Sequence, residues 1–142
     1  MPHDLALKTM NTLHRGLLAL SGGRIGWEAG NMPVLELTTT GRKSGQQRSS
    51  MLTSPVQDGS TLVIVASRGG DDHHPAWFLN LQANPDVEVA WKGNPKEPMR
   101  ARIVAGEERG ALWDRVVAAS SRYAGYQSKT EREIPLVLLE PV

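Results

Sequence analysis

The stretch VLELTTTGRKSGQQRSSMLT, residues 34–53, predicts two β-strands joined by a cationic turn. Its two flanks are rich in Val, Thr, Leu and Ser, and β-branched residues favour strands. The turn, GRKSGQQR at residues 41–48, contains Arg42, Lys43 and Arg48. A hairpin needs only roughly two to five turn residues and has no need of three cations. The turn is therefore either a solvated cluster of charges or a binding site for an anion.

The rest of the chain combines short strands with a few helices. Apolar and β-branched runs predict six strands, at residues 34–40, 47–56, 61–67, 87–91, 99–105 and 134–139. Helices are predicted at residues 75–84 and 107–122, with a proline and acidic residues, respectively, in their first turns. Because the helices do not alternate with the strands as βαβ units, we expect a mainly β, α+β fold: an antiparallel barrel or sandwich with inserted helices.

A further amphipathic helix is predicted over residues 4–20. Asp4 can cap it, and apolar residues follow on one face at helical spacing: Ala6, Met10, Leu13, Leu17 and Leu20. This face can pack on the domain, contact a membrane surface or act as a lid over a substrate. The sequence leaves the three alternatives open.

Composition restricts the class of protein. At 142 residues the chain is long enough for one domain with its own core, and it has no cysteine for disulfides or thiolate chemistry. It has no apolar run of the roughly 18 residues that a transmembrane helix needs, and no secretory signal pattern. We expect a cytoplasmic protein, with membrane association through residues 4–20 as an open alternative.

The net charge is only +1, which argues against a general nucleic-acid coat. Lys and Arg outnumber Asp and Glu in residues 1–56 but not in residues 57–142. The positive field is therefore local to the turn, and it suits a small anion such as a phosphate or a carboxylate chain.

Several short motifs do not carry a known site. The GGRIG run at residues 22–26 lacks the spacing of a dinucleotide fingerprint. In GRKSG, at residues 41–45, the second Gly comes too early for a phosphate-binding loop, and no Lys-Ser/Thr follows it. The DDHH run at residues 71–74 offers metal-ligand side chains, but adjacent residues chelate one ion poorly. We expect no metal.

Three segments have complementary chemistry. Residues 41–53 supply cations, residues 65–70 end in two glycines that would let a ligand approach the backbone, and residues 75–80 begin a helix with Trp77 in its first turn. Together they predict a ligand with a flat ring at one end and an anionic tail at the other.

The sequence resembles the deazaflavin-dependent nitroreductase and quinone reductase family of actinobacteria. Four motifs carry the resemblance over residues 35–141: TTTGRKSGQQR (38–48), IVASRGGDDHHPAWFLNLQANPDVEV (64–89), GEERGALWDRVV (106–117) and YAGYQSKTEREIPLVLLEP (123–141). The resemblance implies a split β-barrel of the pyridoxamine-oxidase, FMN-binding type over residues 31–142, with residues 1–30 as the N-terminal helix and its connection. It also implies coenzyme F420 as the cofactor.

The resemblance also implies the site. The cofactor contacts would be Arg42, Lys43, Ser44, Arg48, Ser49, Ser50, Met51, Leu52 and Thr53 at the phosphate and tail, Val65, Ala66, Ser67 and Arg68 at the ring, and Ala76, Trp77, Phe78, Leu79 and Asn80 at the far wall. Tyr123 and Tyr126, in a loop before the last strand, would border the substrate. Tyr126 and Ser67 would be the catalytic candidates. Arg68 stands where relatives often have Lys, and Gln47 where many have Pro.

The implied reaction is hydride transfer from reduced F420 to a quinone, nitroaromatic compound or activated alkene, with the protein supplying orientation and a dry pocket. Two alternatives remain open: an FMN-dependent reductase or oxidase of the same fold, and a non-catalytic deazaflavin carrier. An RNA-binding barrel is disfavoured because only Trp91 places an aromatic ring on a predicted strand. A monomer and a homodimer are both compatible with the sequence.

Overall fold

The computed structural model describes residues 28–29 and 32–142. Its strands are β1 (Glu28–Ala29), β2 (Met32–Thr40), β3 (Gln47–Thr53), β4 (Val56–Asp58), β5 (Thr61–Val65), β6 (Asp86–Trp91), β7 (Glu97–Val104) and β8 (Leu136–Pro141). Its helices are α1 (Ala76–Ala83), α2 (Gly106–Ala119) and α3 (Arg122–Ser128), and a 3₁₀ turn covers Arg68–Gly70. The predicted helix over residues 4–20 lies outside the described residues.

All strand pairs are antiparallel, in the order β1-β2-β6-β7-β8-β5-β4, and β3 pairs with β2. Only Ser54 and Pro55 separate β3, at one side of the sheet, from β4, at the other. Two residues cannot span more than about 11 Å between the Cα atoms that flank them. The sheet must therefore curl until its two sides meet, which gives the split barrel.

The strand register separates an inner from an outer face. The inward side chains form the main core with α1: Leu35, Leu37, Leu62, Ile64, Val87, Val89, Met99, Ala101, Val137 and Leu139, with Trp77, Phe78 and Leu81. Outward residues such as Val63 and Leu138 form a second cluster with Leu112 and Val116 of α2 and Tyr123 of α3. Helix α1 thus packs on the barrel interior, whereas α2 and α3 cover its outside.

The predicted α+β architecture is confirmed, but several predicted bounds are wrong: the strand predicted over residues 61–67 ends at Val65, and the last strand covers Leu136–Pro141 instead of residues 134–139. The strand predicted over residues 47–56 breaks at Ser54, where the chain turns: the buried Ser54 hydroxyl donates to the Val56 carbonyl two residues on. The helix predicted over residues 107–122 ends at Ala119, because Ser120 is extended, with φ −155° and ψ 115°. Residues 122–128, predicted as part of a loop, form α3, which places Tyr123 in the outer cluster.

Among the described residues, no helix is long and apolar enough to span a bilayer. The predicted cytoplasmic location and the alternative of a membrane contact through residues 4–20 stay predictions.

Candidate active site

The cationic turn between β2 and β3 has a defined structure. The Gly41 N–H donates to the Gln46 carbonyl at 2.7 Å, and the Gly45 N–H donates to the Gly41 carbonyl at 2.8 Å. The Ser44 hydroxyl accepts from the Gln46 N–H at 3.1 Å. A Cβ atom on Gly41 would lie 2.7 Å from Ser44 Oγ and 3.1 Å from the Gln46 carbonyl oxygen, so a larger residue would displace the Ser44 side chain. The turn is a compact structure that presents its side chains outward.

Asn80 of α1 joins the turn to the helix. Its side-chain oxygen accepts from both the backbone N–H and the Nη1 atom of Arg42, each at 3.1 Å. Its amide nitrogen donates to Thr39 Oγ1 at 3.2 Å. Asn80 and Thr39 are buried, so the hydrogen bond between them forms in a low dielectric, where hydrogen bonds are electrostatically stronger. The two Arg42 bonds are part-buried. Asn80 therefore fixes the distance between the turn and α1.

A cleft of about 450 Å³ lies between the turn and α1. This volume is in the range of small-molecule sites. Ten residues line it: Thr39, Gly41, Arg42, Lys43, Ser44, Arg48, Ser50, Ala76, Trp77 and Asn80. The cleft is thus bounded by cations on one side and by the first turns of α1 on the other.

The three cations of the cleft carry uncompensated charge. Within the described residues, Arg42, Lys43 and Arg48 form no ion pair with a carboxylate. Four arginines elsewhere each have a carboxylate oxygen within 3.0 Å: Arg68, Arg102, Arg109 and Arg115. The positive charge of the turn is therefore not compensated by a carboxylate within the described part of the chain.

The register decides which residues of β3 reach the cleft. Thr39 pairs with Arg48 and Leu37 with Ser50, so these four side chains share the inner face. The alternate predicted residues point the other way: Ser49 bonds to Thr38 at 2.8 Å and Thr53 to Tyr123 at 2.9 Å. Of the other two, Met51 is buried and Leu52 packs on the main core.

Helix α1 contributes three of its five predicted residues to the cleft. Ala76, Trp77 and Asn80 line it. Trp77 is only 8% exposed, so most of its ring belongs to the core and one edge faces the cleft. Phe78 is buried against Trp77 and the His74 ring, and Leu79 packs on the main core.

The segment after β5 has an unusual backbone. Arg68, Gly69 and Gly70 all have positive φ, at 47°, 65° and 86°. A Cβ on Gly70 would lie 2.8 Å from the Tyr126 carbonyl oxygen, so the close approach predicted for a ligand at this glycine is made by α3 instead. Ser67 is buried, and no described group hydrogen-bonds to its hydroxyl. Its predicted neighbours Val65 and Ala66 lie in the outer and inner clusters, respectively.

The two tyrosines of α3 differ in environment. The Tyr123 side chain is buried, its hydroxyl lies 2.9 Å from Thr53 Oγ1, and burial raises its pKa. Tyr126 is half-buried and packs edge-on against Tyr123, with ring centroids 5.9 Å apart. No described group hydrogen-bonds to the Tyr126 hydroxyl. Of the two tyrosine hydroxyls, only that of Tyr126 lacks a hydrogen-bond partner among the described residues.

Three residues that the sequence did not single out belong to this region. Thr39 and Gly41 line the cleft, and the β-strand alternation around the turn could have identified Thr39. Arg132 contacts the backbone after β5 and His74, and nothing in the local sequence points to these distant partners.

The DDHH run makes contacts with its own chain. Asp71 pairs with Arg68 at 3.0 Å, Asp72 accepts from Thr130 Oγ1 at 2.7 Å, and His74 meets Arg132 at 3.1 Å. Burial, and then the Arg132 charge, lower the pKa of His74. Among the residues that the structure describes, no group of three or more His, Asp or Glu could hold a metal ion.

A sequence model of the F420H(2)-dependent quinone reductase family matches residues 13–141. The chain belongs to this family. An F420H(2)-dependent quinone reductase of Mycobacterium tuberculosis is 40% identical over 139 residues, which cover 89% of this chain and 87% of that protein. Like the family, the chain is an oxidoreductase whose cofactor is coenzyme F420.

Solved structures agree with this assignment. An F420-H2 dependent reductase (FDR-A) is 43% identical, with a TM-score of 0.68 over 76% of this chain and 94% of that one. A domain-swapped dimer is 37% identical, with a TM-score of 0.70 over 99% of this chain and 100% of that one. A pyridoxamine 5'-phosphate oxidase-like protein of Listeria innocua, 14% identical, shares the fold, with a TM-score of 0.52 over 91% of this chain and 93% of that one. The predicted split barrel is confirmed.

The chemistry of the cleft fits this family's cofactor. Coenzyme F420 carries a phosphate and carboxylates on its tail, and Arg42, Lys43 and Arg48 present cationic donors that have no carboxylate partner in the described part of the chain. FMN carries a single phosphate, which three cations would more than neutralise.

Proposed function

We propose that this F420H(2)-dependent reductase binds the anionic tail of its cofactor in the cleft between the β2–β3 turn and α1. The observation that carries the proposal is the trio Arg42, Lys43 and Arg48, which face the cleft without carboxylate partners among the described residues. Charge-assisted hydrogen bonds to phosphate and carboxylate oxygens are among the strongest in proteins. Ser44 and Ser50 add hydroxyl donors on the same wall.

The ring end of the cofactor is assigned to the other predicted residues. Trp77 and the small Ala76 line the cleft near the first turn of α1, and the accessible part of the indole can contact a bound ring. Ser67 and Tyr126 have hydroxyls that no described group occupies, so each can donate to a bound molecule. We assign Ser67 to orienting the substrate and Tyr126 to donating a hydrogen bond or the proton.

The proposed acceptor is a quinone. Bound F420H2 supplies a hydride, that is, two electrons and a proton, and a quinone needs one further proton to become a hydroquinone. The chain's residues hold the two molecules in contact and exclude water. An enzyme whose redox chemistry is supplied by a cofactor accelerates the reaction through this positioning. Nitroaromatic compounds and activated alkenes are acceptors of the same electronic type and compete in the test.

The cofactor assignment is tested by fluorescence titration of the protein with oxidised F420 and, in parallel, with FMN. We expect binding of F420 and at least a hundredfold weaker binding of FMN. Comparable affinities would favour the flavoprotein alternative and contradict the assignment of the cleft.

The reaction is tested by following the oxidation of F420H2 with menadione, a nitroaromatic compound and an enone, each at several concentrations. We expect the highest kcat/KM with menadione. A protein that binds F420 tightly but turns over none of the three acceptors would be a carrier. A higher kcat/KM with the nitroaromatic compound would show that nitroaromatic compounds, and not quinones, are the preferred acceptors.

The domain bounds and the oligomeric state can also be assigned and measured. We propose residues 31–142 as the cofactor-binding domain, since all cleft residues lie there. We also propose a homodimer, because one similar structure is a domain-swapped dimer. Light scattering of the full-length protein gives its mass, and a monomer at micromolar concentration would contradict the second proposal.

A further inference from the structure

The segment of residues 130–134, between α3 and β8, is tied down at several points. Gln127 donates to the Arg132 carbonyl at 2.7 Å and accepts from the Ile134 N–H at 2.9 Å. Arg109 of α2 donates to the Ile134 carbonyl at 2.7 Å. The backbone that carries the Arg132 side chain is therefore held in place by two helices.

Arg132 uses this fixed backbone to hold another segment. Its guanidinium donates to the carbonyls of Ser67 at 2.8 Å, Asp71 at 2.7 Å and Ala66 at 3.2 Å. Nη1 also lies 3.1 Å from His74 Nδ1. Because the arginine is always a donor, His74 Nδ1 is the acceptor of this contact. One side chain thus binds the backbone on both sides of the 3₁₀ turn.

The segment that Arg132 holds is one that would not keep its shape alone. Residues 68–70 have three consecutive positive φ angles, including the non-glycine Arg68 at 47°. Glycine adopts a positive φ freely, but for Arg68 this conformation is uncommon and persists only where the surroundings impose it. The charged donor on the Ser67 and Asp71 carbonyls, at the two ends of this stretch, supplies that constraint.

The same contacts lie next to the proposed site. Ser67 carries the hydroxyl assigned to the substrate, and His74 precedes by two residues Ala76, the first α1 residue of the cleft wall. Arg132 therefore links the Ser67 position to the start of α1. Asn80, at the other end of the cleft, fixes the cationic turn independently.

We propose that Arg132 is a positioning residue for hydride transfer: it fixes Ser67 and the start of α1 relative to each other, without contributing to the grip on the cofactor tail. This inference rests on the proposed function for Ser67. It separates the site into a tail end held by Asn80, which determines affinity, and a ring end held by Arg132, which determines rate.

The test compares Arg132→Met with Arg109→Met in the full-length protein. Arg109 hydrogen-bonds this segment only at the Ile134 carbonyl, and the two Gln127 bonds at Arg132 and Ile134 would keep the segment in place without it. The Arg109 Nε lies 2.8 Å from Glu133 Oε1 without the alignment of a hydrogen bond, and Arg109 makes no hydrogen bond or ion pair to residues 66–74 among the described contacts. It is therefore a matched control for loss of stability. Arg132→Lys is the second variant, in case Arg132→Met does not fold.

The first readout needs no cofactor. The amides of Gly70 and Asp71 donate to the Ser67 and Arg68 carbonyls, and their hydrogen exchange reports on the turn. We expect exchange at these amides to be at least tenfold faster in Arg132→Met, and unchanged in Arg109→Met. Native protection in Arg132→Met would overturn the inference.

The second readout separates rate from affinity. We expect Arg132→Met to lower kcat with menadione at least tenfold while the Kd for F420 stays within threefold, with Arg109→Met close to the wild type in both. Adding guanidinium to Arg132→Ala should restore part of the rate. An equal loss in kcat and affinity, or no loss, would overturn the inference. If the wild-type protein reduces no acceptor, the proposed function fails, and the exchange comparison still tests the constraint on the turn.

Discussion

Asn80 holds Arg42 of the cationic turn without neutralising its positive charge. Its neutral amide satisfies two Arg42 donors at 3.1 Å without cancelling the positive charge. A carboxylate at this position would satisfy the same donors and also form an ion pair. The choice of an amide over an acid therefore leaves the Arg42 charge available to a ligand.

Asn80→Asp tests this reading of the charge. The new carboxylate would pair with Arg42, and Thr39 could turn its hydroxyl to donate, so the fold should survive. We expect the affinity for F420 to fall by about ten- to a hundredfold, from charge repulsion of a few kcal/mol at most near the protein surface. Titration of the variant at low and high salt measures the loss, which should shrink as salt screens it. A wild-type affinity would show that Arg42 does not meet the tail.

Tyr123 and Tyr126 provide a matched pair at the same scale. The Tyr123 hydroxyl is buried against Thr53, whereas the Tyr126 hydroxyl is free among the described residues. We expect Tyr126→Phe to lower kcat with menadione about ten- to a thousandfold at unchanged stability. We expect Tyr123→Phe to lower the free energy of unfolding by about 1 kcal/mol, because Thr53 loses its partner. Steady-state kinetics and urea unfolding of both variants would reveal a reversed pattern.

The residues that the sequence could identify are those whose chemistry is local. Arg42, Lys43 and Arg48 stand together in eight positions, so their cluster is visible in one dimension. The Asn80 and Arg132 contacts join residues that are dozens of positions apart, and several of the acceptors are backbone carbonyls. Every residue has a backbone carbonyl, so a sequence motif cannot identify which carbonyl will accept a hydrogen bond.

At the scale of elements, the β2–β3 turn and the strand register together bring the three cations to one side of the cleft. The pairing of Thr39 with Arg48 brings the last cation onto the inner face, next to the two cations of the turn. Strand alternation could have divided the predicted run of residues 48–53 into inward and outward halves. The break between α2 and α3 could not be read in this way, because Tyr123 continues the helical spacing of Leu112 and Val116 across Ser120.

Removing two cations from this element should weaken the binding of the cofactor. Each lost charge-assisted contact is worth roughly 1.5 to 3 kcal/mol, so Lys43→Ala with Arg48→Ala should raise the Kd for F420 by about two orders of magnitude or more. The control removes two exposed cations outside the cleft, Arg100→Ala with Arg122→Ala. Fluorescence titration compares the two double variants. Equal affinities would mean that the turn is only a solvated cluster of charges.

At the scale of the whole molecule, the corner at Ser54 closes the barrel. Its N–H donates to the Pro33 carbonyl at 2.9 Å, and its hydroxyl donates to the Val56 carbonyl at 3.0 Å. The Gln57 side chain donates to the Ser54 carbonyl at 2.8 Å. The corner lies at the far end of β3 from the cationic turn. The corner that closes the barrel and the turn that is proposed to bind the ligand therefore lie at opposite ends of β3.

Ser54→Ala should cost stability without a comparable loss of binding. The buried Val56 carbonyl would lose a donor, at about 1–3 kcal/mol of unfolding free energy. Ser60→Ala, at an exposed position in the β4–β5 turn, is the control. Urea unfolding gives the loss in stability, and F420 titration should give a Kd within threefold of the wild type. A large loss of affinity would mean that the corner and the cleft are coupled.

The pairing of β5 with β8 has a consequence for the order in which the molecule folds. Leu62 pairs with Leu139, whereas β2 and β3 are joined by a short turn. Contacts between such distant positions form slowly, because chain entropy is lost before they stabilise anything. The local hairpins β2–β3 and β6–β7 can form early, and β8 then joins β7 to β5. Arg132 precedes β8 and reaches the Ser67 segment only at that step, so the ring end of the site is completed last.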